Sequence, residues 1–298
     1  MDDKAFVELP QRGLLTVAGE NRGPFLQGLI SNDITKVDGT RAIYSGFLTA
    51  QGRYLHDFFV AEIGDVFYLD CERGRLDDLR RRLSLYKLRA KVSLAAAPES
   101  MAVVALFGPG TVQALDLPEE AGSAQPLKGG VVFVDPRLVG LGVRAIVPRD
   151  ALPLFAEKGF RPGSFEAYDA LRLSLGVPDG SRDLPVEKAL LLENGFDELN
   201  GVDWKKGCYV GQELTARMKY RALTKKRLTP VRIEGPAPQP GTAVMLDDQE
   251  AGEMRSVHGT LGLALLRLEV LEQAEKDGKT LTAGGARVTP VKPAWAAA

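Results

Sequence analysis

Short apolar runs separated by glycine-containing turns dominate the first 70 residues. The run "GLLTVAG" ends at a glycine, and "YSGFLTAQGRYLHDFFVAEIGDVFYLDC" holds three further runs separated by "AQGR" and "EIGD". Runs of this length with such turns between them are typical of β-hairpins. The pattern therefore predicts a short strand followed by three strands joined by tight turns.

Helical periodicity appears in three longer segments. "NRGPFLQGLIS" has Pro24 at a first-turn position, and "SFEAYDALRLSLGVP" has Ser164 as a candidate N-cap. "RLDDLRRRLSLYKL" places four residues on one face, namely Leu76, Leu79, Leu83 and Tyr86. Strands are predicted at "AKVSLA", "MAVVALFG", "VVFVD" and "VRAIVP", with short helices at "GPGTVQALDL" and "ALPLFAEKG". Interleaved strands and helices predict an α+β body.

The character of the chain changes near residue 223. Six β-like pieces follow, separated by glycine and proline: "TPVRIEG", "TAVMLDD", "MRSVHG", "LGLALLRLEVL", "KTLTAG" and "ARVTPV". The fourth piece fits a strand or a helix equally well. The sequence predicts a body of two subdomains over residues 1–222 and a small β-barrel over residues 223–298.

Composition narrows the class of protein. The formal net charge is -1 over 298 residues, so no global basic field for nucleic acid is expected. Apolar runs such as "MAVVALF" are far shorter than the roughly 20 residues of a membrane helix. The acidic, polar start "MDDKAFVELP" resembles neither a secretory nor a mitochondrial targeting segment, and two cysteines make no disulfide framework. We expect a cytoplasmic protein.

Candidate chemistry is concentrated in "KKGCYVGQE", residues 205–213. Gly207 and Gly211 bracket Cys208, and "QELTARMK" after them predicts a helix that Gln212 and Glu213 begin. The helix dipole together with Lys205 and Lys206 would favour the Cys208 thiolate. Cys208 is then a reactive thiol, but a small apolar residue in a turn fits the pattern as well. His56 and His258 lie outside any ligand pattern, so no resident metal is expected within one chain, although a cluster bridged between chains stays open.

A basic stretch follows the cysteine segment. It contains Arg217, Lys219, Arg221, Lys225, Lys226 and Arg227. Such a stretch suits an anion, for example a polyglutamate tail, a phosphate or RNA. A solvated linker between domains explains it equally well.

The cysteine motif resembles the signature of a known family. "KGCYVGQELTAR" is similar to the signature of the folate-binding YgfZ family, within the superfamily of the glycine-cleavage aminomethyltransferase (GcvT). The motif residues are Lys206, Gly207, Cys208, Tyr209, Gly211, Gln212 and Glu213. The segments "FLQGLISNDIT", "FLTAQGRYLHDFFV", "LYKLRAKV", "LRLSLGVP", "DELNGVDW" and "ALTKKRL" resemble other parts of the family.

This resemblance implies a GcvT-like fold and a function. It implies a ring-shaped, three-part architecture with a central opening for tetrahydrofolate, finished by a C-terminal β-barrel. It also implies a role in iron–sulfur cluster assembly or repair, in support of iron–sulfur enzymes that include those thiolating tRNA. The expected partners are folate and iron–sulfur assembly proteins or client enzymes, with the chain itself a monomer.

The resemblance also suggests roles for individual residues. Asp57 matches an aspartate that lies near the reactive folate nitrogen in aminomethyltransferase relatives. Pterin contact falls to Glu187, or instead to Glu193 or Asn194, and Lys206 and Arg217 suit the glutamyl tail. With Lys206 and Asp57, Cys208 completes the candidate catalytic set, as a thiolate that ligates iron or sulfur or accepts a leaving group.

Two other functions compete with this one. The first is a folate-dependent one-carbon (aminomethyl) transferase, which Asp57 supports. Ser174 opposes it, because those relatives carry Arg-Leu-Glu where this chain has Arg172-Leu173-Ser174, so the carboxylate is missing here. The second is a non-catalytic scaffold that docks cluster carriers or RNA through the basic stretch, with folate as a regulator.

Overall fold

The protein is described by a computed structural model over residues 3–296, and it divides into two compact units. The first unit takes Met1–Leu48, Leu55–Tyr168 and Asn200–Val210, and the second takes Thr49–Tyr54, Asp169–Leu199 and Gly211–Ala298. The cysteine segment therefore belongs to the first unit up to Val210 and to the second unit from Gly211 onwards. The predicted boundary between residues 222 and 223 stays a prediction.

Two β-sheets form the first unit. In chain order their strands are β1 (Ala5–Glu8), β2 (Arg12–Ala18), β3 (Ile43–Leu48), β4 (Tyr54–Ile63), β5 (Val66–Glu72), β6 (Ser93–Ala96), β7 (Met101–Phe107), β8 (Ala124–Leu127), β9 (Gly130–Val134), β10 (Val143–Pro148) and β11 (Arg161–Pro162). One sheet has the order β3-β4-β5-β2-β6 and the other β11-β1-β7-β10-β9-β8. The predicted hairpin at "AQGR" is confirmed, since Thr49 N–H donates to the Arg53 carbonyl at 2.8 Å.

Helices join these strands and continue into the second unit. They are α1 (Arg22–Gln27), α2 (Leu76–Ser84), α3 (Thr111–Ala114), α4 (Pro153–Glu157), α5 (Phe165–Ser174), α6 (Gly180–Asp183), α7 (Gln212–Tyr220) and α8 (Leu268–Asp277). Short 3₁₀ turns occupy Ile34–Lys36, Arg73–Arg75, Val139–Leu141, Arg149–Ala151 and Leu192–Asn194. The Ser164 cap is confirmed, because its hydroxyl accepts the Ala167 N–H at 3.2 Å.

One detail of the predicted α2 face is wrong. Leu79 and Leu83 are buried as expected, but the helix ends at Ser84. Tyr86 therefore lies beyond the helix in a turn and is 40% exposed. The cause is local: Tyr86 N–H bonds back to the Leu83 carbonyl at 3.0 Å, which tightens the chain into a turn.

The second unit contains the predicted barrel. Its strands are β12 (Lys226–Glu234), β13 (Ala243–Leu246), β14 (Gln249–His258), β15 (Leu261–Arg267), β16 (Leu281–Ala283) and β17 (Ala286–Pro290). They close in the order β12-β15-β14-β13-β16-β17. The ambiguous "LGLALLRLEVL" holds both structures, since β15 passes directly into α8 at Leu268.

Candidate functional site

Lys206 anchors the cysteine motif inside the first unit. Its ammonium donates to the carbonyl oxygens of Gln27, Ile30 and Asn32 at 2.8, 2.6 and 2.8 Å. A lysine has three N–H donors, so these three acceptors use all of them. The acceptors lie at the end of α1 and in the turn after it, where carbonyl groups lack helical partners. Lys206 thus clamps the motif to the polypeptide that follows α1.

This geometry differs from the role expected of Lys206. Burial lowers the pKa of Lys206 to about 8, while Asp33 and Asp203 act in the opposite direction. The three carbonyl contacts favour the charged ammonium. With every donor engaged, the side chain holds the backbone and has no N–H left for a glutamyl tail.

Cys208 is the exposed thiol of the described chain. Its segment is fixed on both sides, by Lys206 and by the Val210 N–H, which donates to the Gly28 carbonyl at 3.0 Å. Cys71, in contrast, is buried in β5, and burial raises its pKa to about 12. Helix α7 begins at Gln212 as predicted, which leaves Cys208 three residues before the N-cap, Gly211. The fold therefore presents Cys208 to solvent on a clamped loop.

Asp57 lies inside the first unit. It is 3% exposed on β4, and its carboxylate accepts the Tyr44 hydroxyl at 2.9 Å. Tyr44 is fully buried, and burial together with the Asp57 charge raises its pKa. The Arg137 guanidinium lies 5.5 Å from the Tyr44 ring centroid. Asp57 thus orients Tyr44 from a buried position on β4.

The other predicted folate residues lie in the second unit. Glu187 is exposed at a turn with φ +61°, and Arg217 is exposed on α7. Glu193 is half-buried, and burial raises its pKa while Lys226 and Arg53 oppose the shift. Asn194 is buried, and its amide donates to the Leu190 carbonyl at 2.8 Å. Glu193 and Asn194 are neighbours in one 3₁₀ turn. The roles of Glu187, Glu193 and Asn194 in pterin binding and of Arg217 at the glutamyl tail stay predictions.

A cavity of about 480 Å³ opens in the first unit beside the motif. Tyr44 forms part of its wall, and Trp204 and Asp203 line it just before Lys205. The remaining lining residues are Asn32, Lys36, Arg41, Ala42, Ile43, Glu120, Ala121, Pro136, Asn200, Val202 and Lys205. Sequence reasoning missed Trp204 and Asp203 as site residues, although "DELNGVDW" was singled out as a family-like segment.

Charged residues that line this cavity form ion pairs with one another. Lys36 lies 2.5 Å from Asp203, and Arg41 pairs with Glu120. Burial would raise the pKa of Asp203, but Lys36 and the backbone N–H groups of Lys205 and Lys206 outweigh it and lower that pKa. Asp203 therefore both lines the cavity and caps the backbone of the motif.

The residues of this cavity fit a folate. Its volume lies in the range of small-molecule sites, roughly 300–1,000 Å³. Asp203 and the amide of Asn200 are hydrogen-bonding groups of the kind a pterin needs, and Trp204 supplies an aromatic wall. Arg41 and Lys205 supply cations for a glutamyl tail, while Lys36 pairs with Asp203.

The basic stretch is partly neutralised within the second unit. Lys219 pairs with Asp197 and Arg227 with Glu198. Arg217, Arg221 and Lys225 are exposed. Contact with RNA or phosphate through this stretch stays a prediction.

Residues 3–296 contain neither a metal-ligand group nor a membrane-spanning helix. No group of three or more His, Cys, Asp and Glu side chains is placed to hold a metal ion. No helix in the same range has the length and apolar character required to span a membrane.

Comparisons with known proteins agree with this architecture. Residues 225–298 match the family model "CAF17, C-terminal beta-barrel domain". The chain is 35% identical to the mitochondrial iron–sulfur cluster assembly factor IBA57 of Mus musculus, over 96% of this chain and 84% of that protein. It is 36% identical to the protein of that name from Homo sapiens, over 90% of this chain and 79% of that protein.

A solved structure shows the fold over almost the whole chain. The glycine cleavage system aminomethyltransferase T from Bartonella henselae superposes with a TM-score of 0.76 at 14% identity, over 97% of this chain and 85% of that one. The predicted GcvT-like α+β fold with a C-terminal barrel is thereby confirmed. The predicted cytoplasmic location is wrong, because the relatives from mouse and human are named as mitochondrial proteins.

Proposed function

Because the chain belongs to the family of the iron–sulfur cluster assembly factor IBA57, we propose that it assists iron–sulfur cluster assembly through Cys208 and binds tetrahydrofolate beside it. The observation that carries the proposal is the clamped, exposed cysteine. Lys206 and Val210 fix the backbone on both sides of Cys208 while its thiol faces solvent. A ligand held in this way can enter a metal site without the loop having to reorganise.

Cys208 supplies one ligand to a cluster that is shared with another protein. An iron–sulfur cluster takes about four protein ligands. The other cysteine, Cys71, is buried. In the described part of this chain, no group of His, Cys, Asp and Glu side chains could supply the remaining ligands. The Cys208 thiol loses its proton to solvent as its sulfur binds iron, and the partner provides the remaining thiolates. The cluster is cargo in this scheme.

Tetrahydrofolate would occupy the cavity between Tyr44 and Trp204. When bound, it supplies a reduced pterin that carries one-carbon units. The chain's own residues would bind and orient it: Trp204 against the ring, Asp203 on ring N–H groups, and Arg41 on a tail carboxylate. Asp57 keeps Tyr44 in place behind that wall. This arrangement assigns Asp57 an indirect role in folate binding.

The cluster role is tested with purified proteins. Each cysteine-ligated [2Fe–2S] carrier protein of the same organism is mixed with the wild-type chain and with Cys208→Ser. We expect one carrier to form a stoichiometric heterodimer with cluster absorption and circular dichroism that differ from those of the carrier alone. Cys208→Ser should lose that spectrum. If no carrier forms such a species with the wild type, a shared cluster is excluded.

The folate role is tested separately by titration with tetrahydrofolate under anaerobic conditions. Trp204→Ala should weaken binding by roughly five-fold or more, since it removes an aromatic wall worth about 1–3 kcal/mol. Asp57→Asn should weaken binding to a smaller extent, and Cys208→Ser should leave it unchanged. Tight binding that survives Trp204→Ala would place folate elsewhere.

The choice of client enzymes follows the resemblance to the YgfZ family. We propose that the clients include iron–sulfur enzymes that thiolate tRNA. Mass spectrometry of tRNA nucleosides from cells without this protein should then show less thiolated product. Cells complemented with Cys208→Ser should keep the deficit, and normal thiolation in them would remove these enzymes from the client list.

A further inference from the structure

An exposed apolar turn lies next to the cysteine segment in the first unit. All residues from Ser84 to Arg89 are exposed, and three of them are large and apolar. Leu85 is 68% exposed, Tyr86 40% and Leu88 89%. Backbone hydrogen bonds from Lys87 N–H to the Ser84 carbonyl and from Ala90 N–H to the Lys87 carbonyl hold the turn in shape. Large apolar side chains concentrated in this way mark an interaction surface.

This turn borders a groove that reaches Val210 of the cysteine segment. The groove has a volume of about 440 Å³ and is lined by Asn21, Pro24, Phe25, Gly28, Leu29, Tyr86, Ala90 and Val210. The Tyr86 ring packs edge-on against buried Phe47, with centroids 6.2 Å apart. This contact holds the Tyr86 wall of the groove in place. Val210 is two residues from Cys208, a distance of at most about 7 Å along an extended chain. We name the turn and the groove together the Leu88 face.

The Leu88 face carries positive charge in a chain whose net charge is -1. No acidic residue occurs between positions 79 and 98, while the same stretch has Arg80, Arg81, Arg82, Lys87, Arg89 and Lys91. The arginines of α2 pair with Asp77 and Asp78, and Lys91 pairs with Glu20. Lys87 and Arg89 form no ion pair with any residue in the described range 3–296. Two cations are therefore available to a partner on the rim of an apolar centre.

We propose that the Leu88 face docks the protein that supplies the remaining cluster ligands, and that this partner presents an acidic rim around an apolar centre. The inference rests on the proposed function, because a shared cluster requires the partner's thiolates to lie over Cys208. An apolar centre with a charged rim is the usual anatomy of a protein interface. The rim charges steer the encounter, and the apolar residues hold the complex. Val210 connects the docking groove to the cluster ligand.

The shape of the site favours a protein over a lipid surface. The groove is concave and is lined from two sides, by the segment around α1 and by Tyr86 and Ala90. A protruding side chain of a partner fills such a groove, whereas a flat bilayer contacts only the projecting leucines.

The test uses the full-length chain and the carrier protein that forms the cluster-bridged heterodimer above, in its cluster-free form. Leu85→Ser together with Leu88→Ser should raise the Kd for this apo carrier by roughly ten-fold or more. Lys87→Glu with Arg89→Glu should slow association and remove most of its salt dependence. Cys208→Ser should leave the affinity of the apo carrier unchanged while it abolishes the shared cluster.

A matched control comes from the second unit, where Tyr220 is 76% exposed and Leu223 44% beside basic residues. Tyr220→Ser with Leu223→Ser should leave the Kd unchanged. Unchanged affinity in the Leu85/Leu88 variant, with the shared cluster still lost in Cys208→Ser, overturns the docking face and leaves the proposed function intact. Weaker binding only in the Tyr220/Leu223 variant also overturns the inference, because it assigns docking to the other patch.

Sedimentation with lipid vesicles distinguishes a protein partner from a membrane surface. Phosphatidylcholine vesicles with about 30 mol% phosphatidylserine are pelleted with the same variants. Vesicle binding that depends on Leu85 and Leu88, with unchanged carrier affinity, identifies a membrane contact and overturns the proposal. No vesicle binding, with the expected loss of carrier affinity, supports it.

Discussion

At the scale of single residues, replacement of Lys206 tests whether its three hydrogen bonds hold the cysteine motif in place. Lys206→Met keeps the length of the side chain but leaves three carbonyl groups without their donor. We expect the free energy of unfolding to fall by about 3 kcal/mol, since hydrogen bonds to charged groups are worth more than neutral ones. Lys206→Arg should not restore it, because a planar guanidinium cannot direct three donors at converging acceptors. Urea unfolding measures both variants.

Lys205 provides the matched control for this experiment. It is exposed and adjacent in sequence, so Lys205→Met should change the free energy of unfolding by less than about 0.5 kcal/mol. Equal effects of the two substitutions would contradict the clamp. The sequence alone could not reveal the clamp, because the acceptors are backbone carbonyls at positions 27–32 and carry no side-chain signal.

A second residue-scale prediction concerns pH. His56 is buried and donates its Nε2–H to Asp78 at 3.0 Å; burial, with Arg75 adding to the effect, lowers its pKa to about 4. In the unfolded chain the ring titrates near 6.5, so between these values the unfolded state binds more protons. Stability should therefore fall as pH drops from about 6.5 to 4, by up to about 3 kcal/mol. The carboxyl of Asp78, whose pKa falls from 3.8 to about 2, adds a further loss that begins at about pH 5 and grows as the pH falls to about 2.

The variant His56→Gln distinguishes the loss of stability caused by protonation of His56 from losses caused by other groups at low pH. The variant should be less stable at neutral pH but should lose less stability than the wild type between pH 6.5 and 4, as measured by urea unfolding at several pH values. Parallel curves for the two proteins would show that His56 is not the titrating group.

At the scale of secondary structure elements, a buried ion network links the two sheets of the first unit. Asp70 on β5 accepts from Arg12 on β2 at 2.6 Å and from Arg144 on β10 at 2.7 Å. Burial would raise the pKa of Asp70, but the two arginines outweigh it and lower that pKa. Asp70→Asn leaves two buried cations without a full counter-charge and should cost about 3–5 kcal/mol of unfolding free energy.

A hydrophobic replacement distinguishes the loss of charge balance from the loss of packing. Arg12→Met, Asp70→Leu and Arg144→Met together should recover much of that stability in thermal unfolding, since all three charges of this network are removed and buried Asp135 keeps its partner Arg137 at 2.8 Å. A triple variant as unstable as Asp70→Asn would mean that the packing of these three side chains, and not their charge balance, stabilises the fold. The strands themselves were predictable, because their apolar runs have a local period. The pairing of residues 12, 70 and 144 was not, because it depends on which sheet each strand joins.

At the scale of the whole molecule, the barrel strands share a core with residues that precede the cysteine segment. Leu173 packs with Leu228 and Leu263, the Asp183 carboxylate accepts the Ser256 N–H at 2.9 Å, and Trp295 donates to the Leu175 carbonyl at 2.6 Å. Periodicity located the barrel in the sequence, but it could not show that part of the polypeptide before residue 200 packs with it. Such packing joins positions that are far apart in the sequence and share no local pattern.

Limited proteolysis tests this shared core. Trypsin should cut at exposed Arg221 or Lys225, and the two pieces should still co-elute in size-exclusion chromatography because the core holds them together. They should separate only in denaturing urea. Pieces that separate under native conditions would show that the barrel from residue 223 onwards is an independent domain.

The division of the chain between its two units also has a consequence for synthesis on the ribosome. The first unit is completed by Asn200–Val210, and the 31 residues before this segment, 169–199, belong to the second unit. When the first 168 residues have emerged, the segment that carries the Lys206 clamp has still to be translated. At roughly 5–20 residues per second, the delay lasts a few seconds. A nascent chain therefore gains Cys208, the proposed cluster ligand, late, after both β-sheets of the first unit have been made.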